Sequence, residues 1–291
     1  MKALRIALLL LFAVGGLTAW HDPAHGRITR AALLSLPPAA RQQWAAESDR
    51  LISRYCLYPD IYGGAKPDEK ARMKIFCEVA GRPIHNVTWK RAEDLQSLEY
   101  LLRNIIESIR SGNSVAAAQY AGTLAHYLED STCPAHALTP ANLNLMLDML
   151  PPPPGKADVK LHTVIERSTP EFDLGSRAPQ MAGQTVSQAA ASLLDRVYAA
   201  IRVNRAGLIE LVPAVYADDQ ATMDRFRLKA ATAGAEVLAD AYYTAFVLAG
   251  EIAITARHRS DRLVIHKYRS AFLSANSPTG SFSSSSKLMV W

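Results

Sequence analysis

The chain has 291 residues, 49% of them hydrophobic, with three cysteines and a formal charge of +5. That mild excess suits a phosphate-bearing substrate or an anionic membrane surface, and it excludes the dense charge stripe of a dedicated nucleic-acid binder. Three cysteines allow at most one disulfide, for which Cys56 and Cys77 are the expected pair.

Residues 1–19 read as a cleavable secretion signal, with Lys2 and Arg5, the apolar run Ile6 to Val14, and small residues ending at Thr18-Ala19. The run is too short to span a membrane, and no later segment reaches eighteen apolar residues without charge. A secreted or periplasmic location follows, with one domain over 20–273. Helices are predicted over 27–36 and 39–54, and Tyr58 to Gly64 reads as a turn-rich loop. A helix over 67–79 follows, then the stripe Leu95, Leu98, Leu102, Ile105 and Ile106. Further helices are expected over 114–129 and 157–168, with Pro151 to Gly155 as a rigid loop between them. Val186, Ala190, Leu193, Val197 and Ile201 mark another stripe, and 218–257 reads as a last helix. Strand alternation is nearly absent, so the expected fold class is all-α, and the tail 274–291 with its serine run is expected to be disordered.

Metal-ligand chemistry concentrates in A-H-Y-L-E-D-S-T-C-P-A-H, residues 125–136. His126 and Asp130, spaced i and i+4, project from one helix face about a turn apart. Cys133-Pro134 then breaks the helix, which lets His136 return toward that face. Cys133 itself reads as a small buried residue. His162 and Glu166 repeat the i, i+4 geometry. One such pair alone is usually a solvated helix face; two pairs with a third histidine at fixed offset point to metal, because imidazole and carboxylate are zinc ligands. Signal cleavage would make Trp20 the new N-terminus, and its amine, with an ordinary pKa near 7.7 to 8.0, can bind a metal together with its own carbonyl. His25 follows five residues on, and Asp60 and His85 lie in loops able to close around the helical pair.

The order Trp20, His25, Asp60, His85, His126, Asp130, His136, His162, Glu166 resembles the trinuclear zinc pattern of the bacterial zinc-dependent phospholipase C and fungal single-strand nuclease family, over nearly the whole mature chain. The resemblance implies a multi-helix phospholipase C/nuclease-like fold with three zinc ions at the base of a cleft. By position, Asp60, His85, His126 and Asp130 would bind one zinc and His136, His162 and Glu166 a second. Trp20, His25 and Asp130 would bind the third, with Asp130 bridging. Two ions about 3.5 to 4 Å apart can lower a water's pKa toward about 7 and direct it at phosphorus. Asp60 is the expected general base, and Glu166 could assist through a second water.

The pattern implies phosphoester hydrolysis without selecting the ester. His85 is followed by Asn86, Val87 and Thr88, where the family's nucleases carry a stacking aromatic and a base-reading acid. Pro23 and Ile61 stand where the phospholipases meet choline, whereas Glu166 and H-Y-L-E-D look closer to the phospholipase form. The expected substrate is therefore a phospholipid or other phosphodiester, with transient membrane-surface contact and no obligate protein partner. A single-strand nuclease acting on DNA or RNA and a non-catalytic zinc-binding protein are the alternatives. Asn86-Val87-Thr88 is formally a glycosylation sequon; a glycan there would obstruct the site, so it reads as coincidence. Tyr58, Tyr62 and Trp89 flank the ligand loops and either line the cleft or pack beneath it.

Overall fold

The computed structural model describes residues 22–167 and 169–274. The expected signal and all of the expected tail but Ser274, which is helical, lie outside the described residues.

The architecture is all-α. Helices α1 (Asp22–Ser35), α2 (Pro38–Trp44) and α3 (Ser48–Ser53) lead into a 3-10 turn at Tyr55–Leu57, then α4 (Tyr58–Gly64) and α5 (Pro67–Cys77). The two-residue strands β1 (Glu78–Val79) and β2 (Arg82–Pro83) pair antiparallel and are the only strands among the described residues. Beyond them come α6 (Arg91–Arg110), α7 (Ser114–Thr132), a 3-10 turn at Pro134–His136, α8 (Pro140–Met149), α9 (Leu161–Ile165), α10 (Val186–Tyr216) and α11 (Gln220–Ser274). The chain divides into a compact unit that ends at Ala249 and a second that begins at Gly250, where α11 continues to Ser274.

Helix α7 is the axis of the first unit. Every residue from Tyr120 to Thr132 is buried, and a helix covered on all sides belongs at the centre of a fold. Helices α6 and α10 pack on it through the two expected stripes. Leu98, Leu101, Leu102, Ile105 and Ile106 of α6 are buried, each contributing roughly 1.5–3 kcal/mol. Glu93 and Asp94 in the first turn of α6 and Arg110 in the last complement its dipole. The α6–α7 connection is written in Ser111-Gly112-Asn113. Gly112, at φ +72°, closes a Schellman motif in which Asn113 N–H donates to Ser108 O and Gly112 N–H to Ile109 O. Asn113 then caps α7 by accepting from Ala116 N–H.

Five local expectations differ from the structure. The helix over 39–54 is two helices, because Glu47 sits in a bridge conformation and turns its buried carboxylate toward the Tyr55 hydroxyl and Arg50. Tyr58 to Gly64 is α4 rather than a loop, since proline is tolerated in a first helical turn. Residues 157–168 shorten to α9. Helix α8 rises in an unassigned stretch, capped by Thr139 Oγ1 accepting from Asn142 N–H. Cys56 and Cys77 are not bridged: Cys56 Sγ donates to Ile52 O, while Cys77 Sγ lies 3.9 Å from Thr123 Oγ1.

Candidate metal centre

Six separate segments deliver side chains to one region. Helix α1 supplies His25, α4 supplies Asp60, and α7 supplies His126 and Asp130. His85 follows a hairpin whose central residues, Ala80 at φ +50° and Gly81 at φ +75°, adopt the two positive values a type I′ turn requires. Cys133, extended ahead of Pro134, ends α7 and turns the chain into the short helix that holds His136. His162 lies in α9 and Glu166 just past its end. Gly122 lets the Tyr55–Leu57 turn lie against α7, since a Cβ there would fall 2.3 Å from the Tyr55 carbonyl carbon.

Asp130 is at the centre of the arrangement and has no solvent exposure. Its Oδ1 lies 3.5 Å from His25 Nε2, while its Oδ2 lies 3.2 Å from both His85 Nδ1 and His126 Nε2 and 3.6 Å from His136 Nε2. Asp60 Oδ1 is 3.0 Å from His85 Nε2 and 3.7 Å from His126 Nε2. Glu166 spans two imidazoles, with Oε1 2.8 Å from His136 Nε2 and Oε2 3.0 Å from His162 Nδ1.

Three sets of ligand atoms come within 4.8 Å of one another: His25, His126 and Asp130; Asp60, His85 and His126; and His136, His162 and Glu166. Of the nine residues expected in the site, the structure thus brings eight together, and Trp20 lies outside the described residues. The last set is the ligand group that the resemblance implied for the second ion. Asp60, His85 and His126 likewise share one set, with Asp130 alongside, and His25 meets Asp130 and His126 rather than Asp130 alone.

Whether these residues suit a cation is decided by their lone pairs. Among the described residues, eleven buried side-chain polar atoms lack a hydrogen-bond partner. Seven of them belong here: Nε2 of His25, His126 and His136, Oδ2 of Asp60, both Asp130 oxygens and Oε1 of Glu166. Buried polar groups ordinarily find partners, because leaving one unpaired costs about 1–3 kcal/mol. Carboxylate oxygens and imidazole nitrogens that converge without aligned hydrogen bonds are what a shared cation requires, and the oxygen and nitrogen donors can hold one.

The outer ring nitrogens are held from behind. His25 Nδ1 lies 2.6 Å from Glu129 Oε2, whose other oxygen accepts from Thr29 Oγ1 at 2.7 Å. His126 Nδ1 donates to Cys56 O at 2.9 Å, which leaves Nε2 its lone pair. Asn86 Nδ2 lies 2.9 Å from His136 Nδ1 and fixes the orientation of that ring from the side away from Nε2. The chain around Asn86 is fastened by Val87 N–H to Ser131 Oγ and Thr88 N–H to the buried Asp94, which also accepts from the Tyr198 hydroxyl. Glu129, Asn86 and the Cys56 carbonyl were not identified from sequence. Only Glu129, beside Asp130, carried a signal there.

The field is strongly coupled. Burial works against a charge on His25, but the hydrogen bond and charge of Glu129, joined by Asp130 and Asp60, push it up to about 9. Burial works to raise Asp130, and the imidazoles of His126, His136 and His25 overcome it and hold the carboxyl well below its usual range. His136 is raised against burial by Asp130 and Glu166. Excess carboxylate thus draws positive charge into the cluster, as protons or as a metal.

Solvent reaches the cluster along one edge, where the side chains of His85 and His162 are 36% and 48% exposed. Trp89 stands beyond His85 at φ +66°, partly exposed, with the Arg205 guanidinium 5.1 Å from its ring centre. Arg205 Nε donates in turn to the carbonyl of Ala137, the residue after His136. Tyr58 and Tyr62 are instead buried, the first accepting from Gln119 and the second donating to Glu78. Cys133 is fully buried, and it belongs to none of the three sets.

Comparison with protein-family models, curated proteins and solved structures finds no match to this chain.

Proposed function

We propose that the chain is a secreted, zinc-dependent phosphodiesterase of phospholipase C-like type, built on a trinuclear centre in a phospholipase C/nuclease-like fold. The observation that carries this reading is Asp130, a fully buried carboxylate with both oxygens unpaired and four imidazole nitrogens around it. Nitrogen and carboxylate donors without thiolate suit zinc, and three protein ligands per set leave a coordination position for chemistry. Asp60, His85, His126 and Asp130 would hold one ion, His136, His162 and Glu166 a second, and His25 with Asp130 and the freed Trp20 amine the third. Bound zinc supplies Lewis acidity toward water and a phosphoryl oxygen.

The remaining work falls to the protein. Asp60 Oδ1 is turned to His85 and His126, so Oδ2 is the oxygen that takes a proton from the attacking water. Glu166 directs both oxygens at imidazoles, which suits a ligand and confines any base role to a second water. Glu129 and Asn86 keep His25 and His136 oriented.

The test uses processed protein whose zinc content is measured, assayed in parallel on phosphatidylcholine, phosphatidylethanolamine and single-stranded DNA and RNA. Head-group release that a chelator abolishes and zinc restores is expected. Nucleotide release with intact lipid would make the protein a nuclease, and full zinc occupancy without turnover on any substrate would make it a binding protein.

A further inference from the structure

The metal centre leaves unexplained an apolar patch beside its open edge. Helix α8 lies in the sequence between His136 and His162, and residues 138–155 hold a single charge, Asp148. Leu145 and Met149, one turn apart on the same face, are 63% and 81% exposed. Met146, Leu147 and Leu150 of the same segment instead pack against Leu208, Leu211, Val212 and Tyr216 of α10. The outward surface continues past Met149 into a groove of about 350 Å³ lined by Leu150, Pro151, Pro153, Pro213, Tyr216 and Ala217. Arg205, Ile209 and Pro213 recur every fourth residue along α10, and Ile209 is 68% exposed. The patch thus runs from Leu145 through Met149 and Pro213 to Ile209, and ends at the Arg205–Trp89 pair beside the His136 turn.

We propose that this patch is a docking surface for an anionic lipid bilayer, a proposal that rests on the phospholipase reading above. Leu145, Met149 and Ile209 enter the boundary between head groups and acyl chains, as the apolar face of an interfacial helix does. Trp89 sits at the level where an aromatic ring with one polar edge is most stable. The surrounding charge selects the lipid. Lys160 and Arg167 flank the second ligand pair, Arg202 and Arg205 stand on α10, and all are exposed apart from the contacts of Arg205. Against them stand Asp148, Asp158 and Asp219, while Glu210 is occupied by Arg225 and Asp218 by Lys156. A basic rim around an apolar centre favours acidic head groups. Docked this way, the protein presents its exposed His85–His162 edge to the head groups.

The experiment measures flotation of the full processed protein with phosphatidylglycerol vesicles and with phosphatidylcholine vesicles. Hydrolysis of a soluble chromogenic phosphodiester is followed in parallel. Leu145→Glu combined with Met149→Glu should lower partitioning onto phosphatidylglycerol by at least about tenfold, since apolar side chains are exchanged for charges at the interface. Its turnover of the soluble ester should match the unaltered protein. Arg202→Glu should reduce the preference for phosphatidylglycerol over phosphatidylcholine and its loss in high salt. Equal vesicle binding by the double variant would overturn the proposal. So would an unaltered protein that binds neither vesicle, or that is a dimer which the double variant dissociates. Vesicle binding lost in the double variant, with no soluble turnover by any form, would support the docking surface while removing the hydrolase reading.

Discussion

Replacing Asp130 by asparagine keeps the shape of the side chain while removing its charge and half of its acceptor capacity, so packing stays constant and coordination alone is altered. Both carboxylate oxygens are unpartnered and face imidazoles on opposite sides, Oδ1 toward His25 and Oδ2 toward His85, His126 and His136. Two metal sets therefore weaken together. A change in the shell behind the ligands already lowers metal affinity about 10- to 100-fold. Applied as a lower bound to each set, that is about 3–5 kcal/mol of lost binding in all, at 1.36 kcal/mol per decade. Metal that binds only the folded chain adds its binding free energy to stability, so this loss appears in zinc-saturated unfolding. For a unit of this size, a midpoint moves about 2–4 °C per kcal/mol, so the variant should melt roughly 10 °C lower than the unaltered protein in zinc. Calorimetry and metal analysis by mass spectrometry read the two effects separately. A variant that keeps its full metal content and its zinc-dependent midpoint would refute the bridging role of Asp130.

Three other outcomes follow from particular contacts. Glu129→Gln retains the size of the group behind His25 but not its charge, so zinc affinity in competition with a chelating dye should fall about 10- to 100-fold; an unchanged affinity would remove His25 from the ligand set. Gly122→Ala would drive a methyl group into the Tyr55 backbone, and the strain should lower stability by about 1–3 kcal/mol and shift the Cys56 carbonyl that orients His126. An unaltered denaturation midpoint would contradict that close approach. Burial pushes the Cys77 thiol up to about 12 and Cys133 well above its usual value, so at pH 8 both should resist iodoacetamide in the folded protein and react on unfolding. Because the Cys77 value is raised on folding, its contribution falls as pH climbs past the unfolded value near 8.5 toward 12. Ready alkylation of Cys77 before unfolding would show that the thiol is less buried than the structure has it.

The readable parts of the site were those governed by local geometry. Spacing along α7 placed His126 and Asp130 on one face, and the pre-proline restriction at Cys133 marked the end of that helix. Of the expected α6 stripe, Leu98, Leu102, Ile105 and Ile106 are buried in the core. The errors arose where a distant partner overrode local preference. Glu47 breaks a helix because its carboxylate meets Tyr55 and Arg50. The thiols of Cys56 and Cys77 turn instead to Ile52 and Thr123.

By itself the sequence determined the helical class, the types of donor atom and which donors share a helix face, because 3.6-residue periodicity and proline sterics act over a few residues. Only the tertiary structure decided that both Asp130 oxygens remain unpaired among imidazoles, that Glu129 and the Cys56 carbonyl stand behind two of those rings, and that Leu145, Met149 and Ile209 stay exposed. Those facts depend on how helices far apart in the chain pack around α7. A lone pair's partner is set by distance in space, which local spacing does not encode.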